Sequence, residues 1–481
     1  MSALLSLVVI KTPHIKRTII IQNKTSQRET HNTNMAASSL HGKEATVIYP
    51  SETTPSTVLS LSALDSQLFL RFTIEYLLVY RPRPGLDPLV TVARVKSALA
   101  KALVPYYPLA GRVRAKQDGS GLLEVVCLGQ GAVFIEAVDR ESTINDFERA
   151  PRYVTQWRKL LSLYVADVLK GAPPLVVQLT WLGDGAAALG IGFNHCVCDG
   201  IGSAEFLNLF TELSTSRHNE LGGGHSLPKP VWDRHLMNSS SSRQQHAHTR
   251  ASSVSHLEFN RVADLCGFVS RFSNERLVPT SITFDKRRLN ELRKLALSTS
   301  RPSELAYTSF EVLSAHVWRS WARSLNLPSN QILKLLFSIN VRNRVKPSLP
   351  SGYYGNAFVL GCAQTRVKDL TEKGLGHAAM LVKKAKERVD SEYVKSVIDS
   401  VSQTRACPDS VGVLIVSQWS RLGLESVDFG MGRPTQVGPI CCDRYCLFLP
   451  VFNQTDAVKV MVAVPTSAVD KYEHLAKCLC W

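Results

Sequence analysis

The sequence predicts an α/β fold made of two domains of similar size. The chain has 481 residues, whereas a single hydrophobic core rarely extends beyond roughly 250 to 300 residues. Helical and strand-like patterns alternate in both halves, which is typical of helices layered on sheets. Between the halves, residues 214–257 lose periodicity and are rich in Gly, Ser and His. We therefore predict an N-terminal domain over 35–213, a crossover linker over 214–257 and a C-terminal domain over 258–481.

Strand patterns dominate the first half. β-branched and aromatic runs predict strands, and an apolar spacing near 3.6 predicts a helix that ends at Pro105. Gly183-Asp184-Gly185 separates two β-rich runs and so predicts an antiparallel hairpin. The predicted elements are strands at Ala45–Tyr49 (leading into the apolar run Leu59–Leu64) and Leu70–Tyr80, a helix at Val90–Ala102, strands at Leu122–Leu128, Ala132–Ala137, Leu175–Leu182 and Ala186–Asn194, and a helix after Asp199.

Helices and strands alternate more evenly in the second half, which predicts a second α/β layer structure. No repeat of 20 to 50 residues is visible along the chain. The predicted helices are Lys286–Ala296, Ser309–Ser324 and Gly376–Val389, and the predicted strands are Leu333–Asn340, Val411–Ser417 and Val458–Val464.

Charge and cysteine content exclude several classes of protein. The 56 Lys and Arg exceed the 40 Asp and Glu, giving a net charge of +16. These charges are spread along the chain without a dense basic run, so we expect no nucleic-acid partner. Eleven cysteines without a C-x-x-C pair favour neither a zinc site nor a disulfide scaffold. We expect no metal, and reduced thiols in a cytoplasmic protein.

The N-terminal residues stand apart from the domains. The apolar stretch Ala3–Ile10 is too short to span a bilayer, so we expect no transmembrane segment. Residues 1–34 are basic and rich in Ser and Thr, as in an organelle transit peptide. Met35 opens a second plausible start. We therefore favour a disordered tail or an over-long gene model for residues 1–34 over a transit peptide.

The sharpest local feature is the motif His195-Cys196-Val197-Cys198-Asp199-Gly200. A neutral imidazole is suited to take a proton from an alcohol that attacks an acyl carbon. Asp199 either orients His195, or pairs with an arginine, or caps the following helix. A thiol beside a histidine is also a possible acylated nucleophile. We disfavour that route because, on an extended segment, Cys196 and Cys198 face away from His195.

Four separated motifs resemble those of the plant BAHD acyl-CoA-dependent acyltransferases, whose hallmarks are H-x-x-x-D-G and D-F-G-W-G. The resemblance covers residues 44–475. The four motifs are Tyr106-Tyr107-Pro108-Leu109-Ala110-Gly111-Arg112, the segment His195 to Gly200, Gly352-Tyr353-Tyr354-Gly355-Asn356-Ala357 and Asp428-Phe429-Gly430-Met431-Gly432-Arg433-Pro434.

The resemblance implies two domains of chloramphenicol-acetyltransferase-like topology, with mixed sheets flanked by helices and a channel between the domains. It implies that His195 is the general base of direct transfer from acyl-CoA, with no permanently bound cofactor. Asp199 and Gly200 then have structural roles, with Arg342 as the expected partner of Asp199. Asp428, Phe429, Gly430 and Gly432 likewise shape the channel. Met431 stands where the family usually has Trp, so packing there is expected to be looser.

Two further groups follow from the resemblance. Ser417-Gln418-Trp419 is similar to the Thr-Ser-Trp segment of hydroxycinnamoyl transferases, so Ser417 and Trp419 are expected to donate hydrogen bonds to the oxyanion; the alternative is a strand serine beside a packed tryptophan. Lys286, Arg287 and Arg288 are candidate partners of the coenzyme A phosphates; the alternative is a solvated helix face.

The resemblance implies an acyltransferase that moves groups other than amino-acyl groups. The expected donor is a hydroxycinnamoyl or acetyl thioester of coenzyme A. The expected acceptor is the hydroxyl of a plant metabolite, such as a phenylpropanoid or a long-chain alcohol. We also expect a monomer. The alternative is a catalytically silent relative that acts by binding or interaction, because a fold alone does not guarantee an activity.

Overall fold

In the computed structural model of the protein, two six-stranded sheets form the framework, with helices packed on them. The structure describes residues 40–161, 168–215, 227–238, 255–299, 306–440, 443 and 445–479. The prediction for residues 1–34 and most of the predicted linker therefore lie outside the described residues. None of the helices in the described ranges is long and apolar enough to cross a membrane.

Each predicted helix and strand is present, some with shifted ends, and the structure adds others. The strands are β1 Leu40–Ile48, β2 Thr57–Ser60, β3 Thr73–Tyr80, β4 Arg112–Ala115, β5 Leu123–Cys127, β6 Ala132–Asp139, β7 Leu175–Leu182, β8 Ala187–Asn194, β9 Leu277–Phe284, β10 Ile332–Asn340, β11 Phe358–Arg366, β12 Val413–Gln418, β13 Gln436–Pro439, β14 Cys446–Val451 and β15 Gln454–Pro465. The helices are α1 Pro88–Ala102, α2 Gly200–Thr215, α3 Phe268–Asn274, α4 Lys286–Ser298, α5 Ser309–Ser324, α6 Val367–Glu372, α7 Leu375–Glu387, α8 Ser391–Thr404 and α9 Val469–Lys477.

The first sheet has the strand order β1-β6-β7-β8-β3-β13. The predicted hairpin is confirmed, since β7 and β8 pair antiparallel, with Leu175 opposite Phe193. Both strands are almost continuously buried, as expected for the centre of a sheet covered on two faces. This buried hairpin carries the His195 motif at its C-terminal end.

The second sheet has the order β11-β10-β12-β14-β15-β9 and mixes parallel with antiparallel pairs. Helix α5 packs in its core and buries two tryptophans, Trp318 and Trp321. Thr308 and Glu311 form a capping box at the start of α5, which satisfies backbone N–H groups at the helix end. A third, small sheet has the order β2-β5-β4.

The chain does not divide cleanly at the predicted linker. Strand β13, from the second half, pairs with β3 of the first sheet, with Val437 opposite Leu78. Trp419, Phe429 and Met431 also belong to the first hydrophobic core. Residues 227–238, inside the predicted linker, pack against the rest of the protein and bury Met237. The domain boundary at 214–257 stays a prediction, and the second half of the chain contributes to both cores.

Candidate active site

His195 lies immediately after β8, in a turn that leads into α2. Its backbone N–H donates to the carbonyl of Phe72 at 2.8 Å, and the N–H of Val197 closes the turn on Asn194 at 3.0 Å. The imidazole lies between the rings of Phe72 and Phe358, at centroid distances of 5.3 and 5.7 Å. The residue is partly exposed. The turn thus presents one polar ring in apolar surroundings.

The surroundings of His195 favour a neutral imidazole. Burial lowers its pKa below the ordinary value of 6.5, and this effect outweighs the opposing influence of its own backbone carbonyl, Asp199 and Asn356. A base with a lowered pKa is already unprotonated at neutral pH. His195 can therefore accept a proton without first losing one.

The side chain of Asn356 is hydrogen-bonded to the backbone of His195. Its amide Nδ2 donates to the carbonyl of His195 at 2.7 Å and to Oδ1 of Asp65 at 2.8 Å. Both amide hydrogens are thereby used, and the amide oxygen is left for the imidazole. Oδ1 of Asn356 and Nδ1 of His195 are both buried, and neither has a hydrogen-bond partner among the described residues; the Asn356 side chain nevertheless raises the pKa of the imidazole, against the larger effect of burial. A proton on Nδ1 leaves Nε2 as the nitrogen available to a substrate.

Asp199 is directed at Arg342. The guanidinium donates to both carboxylate oxygens at 2.9 Å, from Nη1 and Nη2. The backbone N–H groups of Gly202 and Ala357 also donate to the carboxylate, at 2.9 and 3.1 Å. Burial alone raises the pKa of Asp199, but Arg342 and these N–H groups hold it below the ordinary 3.8. The carboxylate is committed to these donors, which include the start of α2, and joins the two halves of the chain.

The glycine that this geometry requires is Gly202. A Cβ there would lie 2.1 Å from the carbonyl oxygen of Tyr354, whereas a Cβ on Gly200 would meet only Leu422, at 3.5 Å. The backbones of Gly202 and Tyr354 approach so closely that no side chain fits at position 202. Gly200 begins α2 without such a constraint.

The Asp428 segment forms a separate loop. Oδ1 of Asp428 accepts hydrogen bonds from the N–H groups of Gly430 and Gly432 at 2.7 and 2.8 Å. Both glycines have positive φ, +80° and +91°, a region that favours glycine. Phe429 is buried against Phe210, with ring centroids 4.7 Å apart. Met431 is also buried, at 3% exposure.

Ser417 and Trp419 form a pair at the end of β12. The indole N–H of Trp419 donates to Oγ of Ser417 at 2.8 Å, and the indole packs on Tyr76 at 4.6 Å. Trp419 is buried, whereas Ser417 is partly exposed. No hydrogen bond or ring contact joins either residue to His195 among the described residues. The indole proton is already used, so only the Ser417 hydroxyl keeps a proton to donate.

The three basic residues at the start of α4 have different surroundings. Lys286 pairs with Asp456 at 3.0 Å and Arg287 with Glu291 at 3.2 Å, and all four side chains are exposed. Arg288 donates to the carbonyls of Thr283 and Lys477 at 2.9 Å and stacks on Phe284. Arg288 therefore fastens α9, and Lys286 and Arg287 are the solvent-facing cations.

The two cysteines of the motif are buried. Residues 195–197 form a turn, so the expectation of an extended segment around Cys196 was wrong. Burial nevertheless raises the pKa of Cys196 to about 12 and that of Cys198 further. A thiol is a weak nucleophile until it ionises. The structure thus disfavours a covalent thioester for a different reason.

The family model for the Transferase family matches residues 39–479. The chain belongs to the Transferase family. This Transferase-family chain is 32% identical over 442 residues to taxadien-5-alpha-ol O-acetyltransferase of Taxus chinensis, covering 89% of this chain and 94% of the relative. It is 35% identical over 451 residues to (Z)-3-hexen-1-ol acetyltransferase of Arabidopsis thaliana, covering 90% and 93%. The resemblance to plant BAHD acyltransferases is thereby confirmed.

Solved structures show the same fold. Vinorine synthase matches with a TM-score of 0.65 and 20% identity, over 90% of this chain and 96% of that protein. F. graminearum TRI101, complexed with coenzyme A and deoxynivalenol, matches with a TM-score of 0.67 and 16% identity, over 87% and 97%. The predicted two-domain chloramphenicol-acetyltransferase-like fold is confirmed. This member of the Transferase family is an O-acyltransferase, and no named relative favours a silent binding protein.

Sequence reasoning assigned no role to three buried polar residues beside His195 in this Transferase-family chain: Asp65, Arg234 and Asn356. Asn356 lies in a motif that carried the resemblance, but its contact with His195 is 161 residues away along the chain. Asp65 lies in no motif that the sequence analysis identified, and Arg234 lies in the predicted linker. The one signal in the sequence was the tract Gly352–Ala357, since two glycines there indicate close backbone approach.

Proposed function

We propose that this acyltransferase moves an acyl group from a coenzyme A thioester to the hydroxyl of an apolar plant metabolite, with His195 as the general base. The observation that carries the proposal is the partly exposed imidazole of His195, which lies in the turn after β8 between Phe72 and Phe358 and has its pKa lowered by burial. A base with a lowered pKa suits an alcohol acceptor near pH 7.

The proposed reaction proceeds in two steps. Nε2 of His195 takes the hydroxyl proton as the acceptor oxygen attacks the thioester carbonyl, which gives a tetrahedral oxyanion. The carbonyl then re-forms, the carbon–sulfur bond breaks, and the imidazolium returns its proton to the departing thiolate. The Ser417 hydroxyl, held by the indole N–H of Trp419 at 2.8 Å, is our candidate donor to the oxyanion. One such donor lowers a barrier by roughly 3 to 4 kcal/mol.

Basic residues support coenzyme A thioesters as the acyl donors. Coenzyme A is highly anionic, and a net charge of +16 favours its approach. We propose that Lys286 and Arg287, which are exposed at the start of α4, attract its phosphates. Acyl-CoA is a co-substrate in this proposal, and the protein's own side chains supply the acid–base chemistry.

An apolar acceptor fits the rings around His195. Phe72 and Phe358 flank the imidazole, and Tyr445 lies 6.2 Å from Phe72. Relatives carry names of hydroxylated apolar compounds, including omega-hydroxypalmitate for a feruloyl transferase of Arabidopsis thaliana. We therefore propose a phenylpropanoid or long-chain alcohol as acceptor, and a hydroxycinnamoyl or acetyl group as the acyl group.

The cellular setting is also a proposal. Cys127, Cys196, Cys198 and Cys362 are buried free thiols, which suits a reducing compartment. We propose a cytoplasmic monomer. Fractionation and analytical ultracentrifugation would test the location and the oligomeric state.

A panel of acetyl-, malonyl- and feruloyl-CoA with aliphatic and phenylpropanoid alcohols would test the reaction, with free thiol and ester product measured together. We expect thiol release that requires both an acceptor and His195. Binding of acyl-CoA without thiol release across the panel would contradict the proposal and favour a silent binding protein. Mass spectrometry with acyl-CoA alone should show no adduct on Cys196 or Cys198.

A further inference from the structure

Arg234 is a buried arginine in the segment that connects the two halves of the chain. Residues 227–238 are one described part of that segment, and the Arg234 side chain within them is only 1% exposed. Three aromatic rings surround the guanidinium, those of Trp232, Tyr354 and Tyr353, at 4.2, 4.8 and 5.3 Å. A buried charge is costly unless it is paired and hydrogen-bonded, so its partners indicate why it is there.

The first partner of Arg234 is the His195 turn itself. Nη2 donates to the carbonyl of Val197 at 2.7 Å. That carbonyl lies two residues after the general base, on the turn between β8 and α2. The contact fixes the far side of the turn from a segment 37 residues away along the chain.

The second partner of Arg234 is Asp65, which is connected to His195 through Asn356. Nε of Arg234 lies 3.7 Å from Oδ2 of Asp65. The other oxygen, Oδ1, accepts from the backbone N–H and the Nδ2 of Asn356 at 2.9 and 2.8 Å. Asn356 in turn bonds to the carbonyl of His195. Arg234 therefore reaches the histidine both through Val197 and through Asp65 and Asn356.

The charges of this pair act on the imidazole. Asp65 raises the pKa of His195, opposing the larger effect of burial. Burial alone lowers the pKa of Arg234, but Asp65 and the neighbouring tyrosines raise it above its ordinary value, so the guanidinium is charged and balances the carboxylate. Without it, an uncompensated negative charge would lie close to the base.

We propose that Arg234 is a positioning residue for His195, acting on the base through Val197 and through the chain Asp65–Asn356. This inference rests on the proposed role of His195. The connecting segment is then part of the catalytic apparatus, because it holds the general base in place and balances the charge behind it.

Gly355 offers a probe that leaves Arg234 itself unchanged. A Cβ on Gly355 would lie 1.2 Å from Nη1 of Arg234, so Gly355→Ala must displace the guanidinium. Its φ lies outside the positive region, so the backbone itself accommodates alanine. The Cβ would also lie 2.9 Å from the hydroxyl of Tyr353, whose ring packs on the same guanidinium. We expect Gly355→Ala to reproduce the effect of substituting Arg234.

The test compares Arg234→Met and Arg234→Lys with Arg319→Met as a matched control. Arg319 is also buried and donates to two carbonyls, those of Leu370 and Lys373, in the second half of the chain. Arg234→Met should lower kcat by about tenfold to a hundredfold, as expected when a base shifts by up to about 1 Å, with KM for acyl-CoA within about twofold. Arg234→Lys should restore part of kcat.

A histidine titration supplies a readout that does not depend on turnover. In protein labelled with ¹³C-histidine, the His195 signal is assigned by its loss in His195→Gln. Loss of the balancing positive charge should shift the midpoint of this signal to higher pH in Arg234→Met. The double variant Asp65→Asn with Arg234→Met removes both charges and should shift it back.

Each outcome bears on the inference. An unchanged His195 midpoint in folded Arg234→Met, or a double variant no closer to wild type, would overturn it. If Arg234→Met does not fold, Arg234→Lys and Gly355→Ala decide by the same titration. If the wild type releases no thiol while the midpoint still shifts, the proposed function fails and the positioning of His195 by Arg234 stands.

Discussion

Two aspartates of this chain, each followed closely by glycine, hold the backbone in different ways. The carboxylate of Asp199 accepts hydrogen bonds from Arg342 and Ala357, which are 143 and 158 residues away in the chain. That of Asp428 accepts from Gly430 and Gly432, two and four residues away. Asp199 thus joins distant parts of the protein, and Asp428 shapes one loop.

The two aspartates show that a short sequence motif does not reveal whether its residues bond to near or to distant parts of the chain. Both aspartates satisfy backbone N–H groups, which is ordinary work for a carboxylate at a turn or helix start. Only Asp199 also balances a largely buried guanidinium, because the turn after β8 and the segment after β10 meet at the Asp199–Arg342 pair. The carboxylate of Asp199 bonds across the two halves of the chain, whereas the carboxylate of Asp428 accepts from backbone N–H groups of its own loop.

The largest expected effect tests whether the His195 turn is the reacting centre. His195→Ala should lower kcat by at least about a hundredfold, the usual contribution of a positioned general base, while acyl-CoA affinity stays nearly unchanged. Steady-state kinetics and binding calorimetry measure the two quantities. His474→Gln, at an exposed position in α9, is the control. A His195→Ala enzyme with near wild-type kcat would show that His195 is not the general base.

Asp199→Ala should cause the largest loss of stability. It leaves the largely buried Arg342, whose side chain is 12% exposed, without its carboxylate. Breaking a buried pair from one side costs about 3 to 5 kcal/mol. Urea unfolding measures the loss. The double variant Asp199→Asn with Arg342→Gln should recover part of the stability, since it strands no charge. A single variant that unfolds like wild type but is inactive would make Asp199 an orienting residue of the base.

Asp428→Ala should cost less than Asp199→Ala. It removes the acceptor of two backbone N–H groups in a partly buried loop, which is worth about 1 to 3 kcal/mol. The same urea titration, run beside Asp199→Ala, ranks the two variants. An equal or greater loss at Asp428 would break the distinction between a local and a long-range carboxylate.

The smallest effect concerns pH. Because burial lowers the pKa of His195 below 6.5, the base is protonated only at more acidic pH than an ordinary histidine. The acid limb of the kcat/KM profile should therefore have its midpoint below 6.5, and activity should be flat from there to pH 8. A midpoint above 6.5 would mean that negative charge outweighs burial at this turn.

Much of the fold could be predicted from the sequence because the signals are local. Two β-rich runs around Gly183-Asp184-Gly185 predict the hairpin β7–β8, and the helical pattern of Ser309–Ser324 predicts α5. The sequence patterns did not predict several other elements, including a 14-residue helix: α3, α6, α8, α9, β4, β9, β11, β13 and β14. Strand β13 is four residues long and joins the first sheet only because β3 leaves an edge to pair with.

The sequence by itself determined which residues are available for the chemistry: a histidine at a strand end, an aspartate four residues on, and the motifs of the Transferase family. Tertiary structure decided what each one does. It turned Asp199 toward Arg342, engaged the Trp419 indole with Ser417, and brought Asp65, Arg234 and Asn356 behind His195. The reason is physical: hydrogen bonds and charge pairs depend on short distances between atoms. Residues more than a hundred positions apart come within that distance only when the chain has folded.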